Sequence, residues 1–479
     1  MSKRAKATAA VNAPPTTAPP TASAPSTRVR RPDPLDPRPY HFPHFDRRRL
    51  ENGLQLVVAT VPKLPIATVI ALVDAGASCD AVGREGIACL TADLLLEGTL
   101  TSDGVELVER FERLGASVES STDWDGAAVS LTALTEHLDA AITLLGEVLR
   151  TPAFPPREVG RLQAERQAEL LQLRAEPRGL ADEMFSRFLY EPASRYALPQ
   201  AGTEQSVASI TSDDVRAFYE TRYRPECVTL VIAGDITVDR AADIARATFG
   251  DWSGDAPRSP RISDAPARAT RGVHIVSKPD APQSELRIGN VGLPRKHPDY
   301  HAAVVMNAVL GGLFSSRINL NLREVHGYTY GAFSHMEWRR QAGPFVVSTA
   351  VQNDVTASAA VEVLREIDRM RAAPVSDDEL SLATSYLVGV FPIRYETTDA
   401  IARALATLVR YDLPDDVYDT YRTRVGAVTT DDVLRAAREH LHPAAMQMVV
   451  VGDDESVRAQ LEAMQFGALQ VYDAEGKPL

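Results

Sequence analysis

Cysteine is scarce in this chain: Cys79, Cys89 and Cys227 are the only three in 479 residues. Three thiols with no CxxC spacing build neither a disulfide framework nor a cysteine-based zinc site. Histidine is also thin, at ten residues, and His137 is the only one between Asp46 and Gly272. Cations are in deficit: 51 Lys and Arg against 64 Asp and Glu leave a net charge of −13. That disfavours nucleic acid as a partner, because such affinity rests on cations that neutralise phosphate. No run of about 18 apolar residues occurs, so no transmembrane segment is expected. What is present is an ordinary globular composition, 44% hydrophobic and 24% charged, which excludes disorder of the whole chain. The length exceeds the roughly 250–300 residues that one core serves, so two or more domains are expected.

Residues 1–46 are rich in Pro, Ala and Thr and read as a disordered tail. Lys3, Arg4, Lys6, Arg28, Arg30 and Arg31 precede the first acid, Asp33, which gives a weakly transit-like start. Pro14, Pro15, Pro19 and Pro20 would break the helix that a transit peptide needs, and no apolar signal core follows. The expectation is a cytoplasmic protein. Order should begin near Leu50, where Asn52-Gly53 signals a hairpin and Leu54, Leu56 and Val58 alternate as a strand. Residues 66–73 read as a second strand. Residues 83–97 read as a helix closed by Gly98, and amphipathic helices follow near 104–114, 134–149 and 157–175.

An internal repeat organises the rest. Ile210 to Asp235 reads ITSDDVRAFYETRYRPECVTLVIAGD, and Val428 to Asp453 reads VTTDDVLRAAREHLHPAAMQMVVVGD. The offset is 218 without a gap, and eight of twenty-six positions are identical. Each copy holds a Ser/Thr-type helix start, a helix, a Pro break and a buried strand ending in Gly-Asp. A period this long means two related domains rather than a solenoid. They are placed at 47–252 and 272–479, each with its own core, joined by the Ala/Pro/Arg/Ser linker 253–271. The class is α+β.

These segments resemble the M16 metallopeptidases, of the M16B type related to insulinase and the mitochondrial processing peptidase. Gly86 through Asp93, with Gly98-Thr99, lies where that family has its inverted zinc motif, HxxEH. In the second half, Gly311-Gly312, Ser315-Ser316-Arg317, Leu322-Arg323-Glu324 and Gly389-Val390-Phe391-Pro392-Ile393-Arg394-Tyr395-Glu396-Thr397 carry the likeness. The resemblance implies two related domains, each a mainly antiparallel sheet with helices packed on it. The zinc motif works because imidazoles at i and i+4 share a helix face and clasp one ion. A glutamate at i+3 then acts as general base on the metal-bound water.

Here those positions are Cys89, Ala92 and Asp93. Both imidazoles and the base are gone. The family's third ligand falls on Glu169 by spacing, or on Gln172 by register with Glu165-Arg166. A residual site from Cys89, Asp93 and Glu169 is outweighed by a buried thiol and a helix-face carboxylate, so no metal is expected in this chain. The stretch Leu322 to Tyr330 resembles the family's Arg/Tyr element, which implies that Arg323 and Tyr330, with Tyr328 as a possible substitute, stabilise the oxyanion and hold the substrate backbone.

The resemblance therefore implies a zinc-free subunit that needs an HxxEH-bearing partner, in which the zinc resides, to hydrolyse peptides held in a shared chamber. Their backbones would add as an extra strand to a sheet edge. The alternative is a scaffold subunit with no part in catalysis, and an active homodimer is the weakest reading. Other candidates favour structural roles. His297 and His301 suit a helix start at Pro298, His440 and His442 the surface, and Asp123-Trp124-Asp125 a hairpin tip.

Overall fold

The computed structural model describes residues 38–255 and 258–479. Most of the expected disordered tail, residues 1–37, lies outside them, as do linker residues 256 and 257. Among the described residues, twelve strands form two six-stranded sheets. The first sheet holds β1 (Phe45–Arg49), β2 (Gln55–Thr60), β3 (Ile66–Val73), β4 (Ser117–Thr122), β5 (Ala127–Leu134) and β6 (Val228–Gly234), in the order β1-β2-β6-β3-β5-β4. The second holds β7 (Gly272–Ser277), β8 (Gln283–Val291), β9 (Ala332–Met336), β10 (Pro344–Gln352), β11 (Gln447–Gly452) and β12 (Ala468–Tyr472), in the order β12-β7-β11-β8-β10-β9. Pairing is antiparallel except for β2 on β6, β7 on β11 and β12 on β7.

The repeat maps onto the centre of each sheet. Helices Ser212–Arg222 and Thr430–His440 open on capping boxes, Thr211 with Asp214 and Thr429 with Asp432, at the same offset of 218. The strands that follow, β6 and β11, are buried at every position. The equivalence ends at the outer edges, where β1 runs antiparallel to β2 but β12 runs parallel to β7.

The expectation of fully separate cores is corrected in part: one core is built from first-half residues alone, whereas the others draw on both halves. Helix Pro177–Leu189, from the first half, packs on β8 and β11, and helix Thr398–Arg410, from the second, packs on β3 and β6. Val57, Ile70 and Val231 of the first sheet therefore share a core with Ile401, Leu405 and Leu408. Strands apolar at nearly every position bury both faces, and here the second face is covered by the other half's helix. The linker is fastened too: Glu191 N donates to Ala265 O (3.0 Å) and Ala267 N to Leu189 O (2.8 Å).

Asp123–Gly126 does form the turn between β4 and β5, but this tip also locks the halves together. Asp123 pairs with Arg410, and Arg340 N donates to Asp125 Oδ2 (2.9 Å). The Arg339 guanidinium lies 4.5 Å from the centroid of the buried Trp124 ring. Other boundaries also shift. Order is present before residue 46: Phe42 is buried and stacks on Tyr418 at 4.7 Å, and β1 begins at Phe45. The helix expected over 83–97 shrinks to Ile87–Leu94, because Gly83 and Gly86 adopt φ of +78° and +96°. Among the described residues one stretch, Tyr300–Val325, is long and apolar enough to cross a membrane. It is interrupted by an extended Leu313, and more than half of its most apolar window is buried within the fold.

Candidate functional site

Helix Ile87–Leu94 is buried on all positions but Asp93. Its start is fixed by Asp80, whose carboxylate accepts from Gly86 N (2.7 Å), Ala88 N (3.0 Å) and Arg195 Nη2 (2.7 Å). This satisfies two of the orphan amides of a helix N-terminus inside the protein. Gly86 is required by more than its φ: a Cβ there would sit 2.4 Å from Ala201 O.

The residues at the zinc-motif positions are engaged elsewhere. Cys89 lies 3.7 Å from Gln200 O as a thiol donor, and burial pushes its pKa up to about 12. Ala92 is fully buried and offers no donor atom. Asp93 Oδ2 is 2.7 Å from Arg166 Nη2, and Arg166 Nη1 is 2.9 Å from Glu169 Oε2. Burial raises the Asp93 pKa, with Arg166 opposing. The Asp93–Arg166–Glu169 chain of ion pairs was not foreseen. Its signal was an acid replacing an imidazole, which calls for a cation on the facing helix Pro156–Ala175. Gln172 is exposed on that helix.

The second element is built on a wide helical turn, Leu320–Val325. Arg317 anchors it through a bidentate pair with Glu379 (2.6 and 2.8 Å). Asn321 Nδ2 donates to Glu362 (3.1 Å) and Glu366 (2.8 Å), while Leu322 is buried. Arg323 is thereby turned outward, its guanidinium 4.7 Å from the centroid of the exposed Phe314 ring. Gly327 (φ +66°) reverses the chain, and Tyr328 N donates to Leu322 O (2.8 Å).

The two tyrosines then part. Tyr328 stacks on His326 at 4.9 Å and packs against the core. Tyr330 is 95% exposed. Thr329 Oγ1 bonds to Gly331 N and O, and to Thr349 Oγ1, which fixes the loop that presents Tyr330. The phenol borders a groove of about 460 Å³ that also meets Phe333, His335 and Arg287.

The other candidates are structural, and two are corrected. His440 is buried rather than on the surface, and its Nε2 lies 2.7 Å from Asp299 Oδ2. Asp299, not His297, precedes the helix Tyr300–Asn307, and it donates its own N–H to His297 Nδ1 (3.1 Å). His297, Asp299 and His440 have the donor types of a metal cluster, with atoms within 4.8 Å. Yet Arg435 Nη1 already lies 2.9 Å from both Asp299 oxygens and holds that carboxyl at about 2. A cation is thus built in. His301 packs against Tyr421 instead of joining His297, and His442 is exposed.

Two family models match: Insulinase (Peptidase family M16) over residues 56–199 and the Peptidase M16 inactive domain over residues 209–387. The chain belongs to the M16 peptidase family. A protein named an uncharacterized zinc protease in Mycobacterium tuberculosis is 24% identical over 91% of this M16 chain and 99% of its own length. A probable mitochondrial-processing peptidase subunit beta from Schizosaccharomyces pombe is 24% identical over 87% and 93%. A peptidase M16 inactive domain from Pseudomonas fluorescens superposes with a TM-score of 0.80 at 25% identity, covering 85% of this chain and 98% of that one. A protease from Helicobacter pylori matches the fold with a TM-score of 0.81 at 18% identity, over 86% and 100%. The chain is M16 zinc-protease-like, but zinc does not fit its own motif positions. These present a buried thiol turned toward a backbone carbonyl, a methyl group and a carboxylate already paired with arginine.

Proposed function

We propose that this M16 chain is the zinc-free subunit of a heterodimeric M16B-type metalloendopeptidase. Metal, metal ligands and general base would come from an HxxEH-bearing partner, and this chain would contribute Arg323 and Tyr330 to peptides held between the two. The observation that carries the reading is the contrast between neighbours: Tyr328 is packed away, whereas Tyr330, seven positions after Arg323, is exposed on a braced loop. A phenol that serves only packing has no need of such presentation. A guanidinium and a phenol supply fixed N–H and O–H donors to a carbonyl oxygen as it gains negative charge. Donors poised for that charge favour the transition state over the bound substrate.

The test is reconstitution. The purified chain alone should hold no stoichiometric zinc and cleave no peptide, and mixing it with an HxxEH-bearing M16 subunit should produce peptidase activity. About one tightly bound zinc per chain, surviving chelator washing, would sink the proposal. Activity of the partner that is unchanged by addition of this chain would instead favour the scaffold role.

A further inference from the structure

The chain leaves its helix at the extended Leu313 (φ −111°, ψ 156°) and sets Phe314 into solvent, where it is 62% exposed. Single exposed apolar rings are common. This one is set apart by how firmly its loop is held and by what it touches. Ser316 N donates to Leu313 O (3.0 Å), and Phe314 O accepts from Asn319 Nδ2 (2.6 Å). Asn319 is fully buried, and its Oδ1 accepts from Ala332 N (3.1 Å), two residues beyond Tyr330. One side-chain amide thus ties the backbone of Phe314 to the strand that follows Tyr330.

The ring meets Arg323, whose guanidinium carbon lies over it, 4.7 Å from the centroid. The other group beside Arg323 is Glu324, with Oε1 3.4 Å from Nε. Those side chains are 37% and 57% exposed, and pairs so open to water hold a long side chain weakly. The two contacts also differ in what they consume. A carboxylate takes up N–H groups, whereas a ring face holds the cation through its quadrupole and leaves the donors free for an oxygen. Arg339 shows the other case: it lies on the Trp124 ring, yet its Nε and Nη2 are both spent on Glu337 (2.8 Å each). Arg323 donates no hydrogen bond among the described residues.

We infer that Phe314 is a positioning residue for Arg323: its ring face orients the guanidinium while the N–H groups stay free for the carbonyl oxygen of a peptide. This rests on the subunit role proposed above and names the group that makes Arg323 ready for it. Because Asn319 links the loop of the ring to the strand after Tyr330, the two donors are held on one frame before a partner arrives. Donors fixed in advance cost no reorganisation at the moment of reaction.

The test is a double-mutant cycle in peptide hydrolysis by the full chain reconstituted with an HxxEH-bearing subunit. Phe314→Leu keeps an apolar side chain but removes the ring face. It should lower kcat/KM about tenfold, less than the roughly 100-fold that a 1 Å misplacement can cost. Melting temperature and binding of the partner should stay at the parent's values, since the side chain is exposed. Phe314→Trp, which offers the strongest ring face for a cation, should keep activity near the parent's. In an Arg323→Ala background, Phe314→Leu should cost nothing further. Parent-level activity of Phe314→Leu beside an impaired Arg323→Ala overturns this inference alone. So does an equal loss from Phe314→Leu in both backgrounds, or a loss of partner binding, which would make the ring a subunit contact. Full activity of Arg323→Ala would instead remove Arg323 from the proposed subunit role, and the inference with it.

Discussion

Replacing Trp124 with alanine tests how firmly the two halves are joined. The indole is 7% exposed at the β4–β5 tip, 5.1 Å edge-on from the Tyr196 ring. Guanidinium groups of Arg339 and Arg195 lie 4.5 and 5.1 Å from its centroid. Truncating a buried tryptophan costs about 3–5 kcal/mol. Within that sum the aromatic pair accounts for about 0.5–1.5 kcal/mol, and a desolvated cation–π contact for up to about 2 kcal/mol. Urea unfolding gives the readout, because the other two tryptophans report separately. Trp252 lies in the first half and Trp338 at the β9–β10 tip of the second. With the helices exchanged between sheets, single-tryptophan versions of Trp124→Ala should unfold at one shared, lowered midpoint with little change in slope. A loss under about 1 kcal/mol, or two well-separated midpoints, would refute the reasoning.

Two further outcomes follow from the buried ionisable groups. Cys89 and Cys227 have thiols pushed up to about 12 and about 11 by burial, and burial raises Cys79 as well. The folded chain should therefore react slowly with a disulfide reagent at pH 8 and yield three equivalents only after denaturation; three fast equivalents in the folded state would contradict this. Glu379 is held at about 2 by the Arg317 guanidinium, against a usual 4.5. A lowered carboxyl adds stability that is present above its unfolded pKa and lost as pH falls toward about 2. Arg317→Met should thus flatten the decline of melting temperature across that acid range, and an undiminished decline would exclude Glu379 as its source.

Much of the fold could be read from the residues because the repeat carries its own punctuation. Thr211 and Thr429 cap, Pro225 and Pro443 break, and the strands after them are mostly apolar and buried throughout. The helix exchange was hidden, since an apolar helix face says that it is buried but not on which sheet. Leu405 looks the same in either place. Gly86 reads as a helix residue until its left-handed φ is seen, and Phe42 was lost among prolines although it seats an ordered strand. At the motif, the losses of imidazole and base were plain from Cys89, Ala92 and Asp93. The use of Arg166 as counter-ion depends on how two helices face each other, and no local pattern shows that. Spacing selected Tyr330 over Tyr328, and the exposure of the two rings favours the same choice.

The most direct measurement is steady-state peptide hydrolysis by the chain reconstituted with an HxxEH-bearing subunit, comparing the parent with Tyr330→Phe, Arg323→Ala and Tyr328→Phe. Loss of one oxyanion donor typically lowers kcat by about 10²–10³-fold, or about 2.7–4 kcal/mol. Tyr330→Phe should show a loss of that order with assembly and zinc content unchanged. Arg323→Ala should lose at least as much and raise KM as well, because in the proposed role its charge would also hold the substrate backbone. Tyr328→Phe, whose ring is stacked on His326, should stay near the parent. Full activity of the Arg323→Ala/Tyr330→Phe double variant would contradict the account and leave this chain a scaffold.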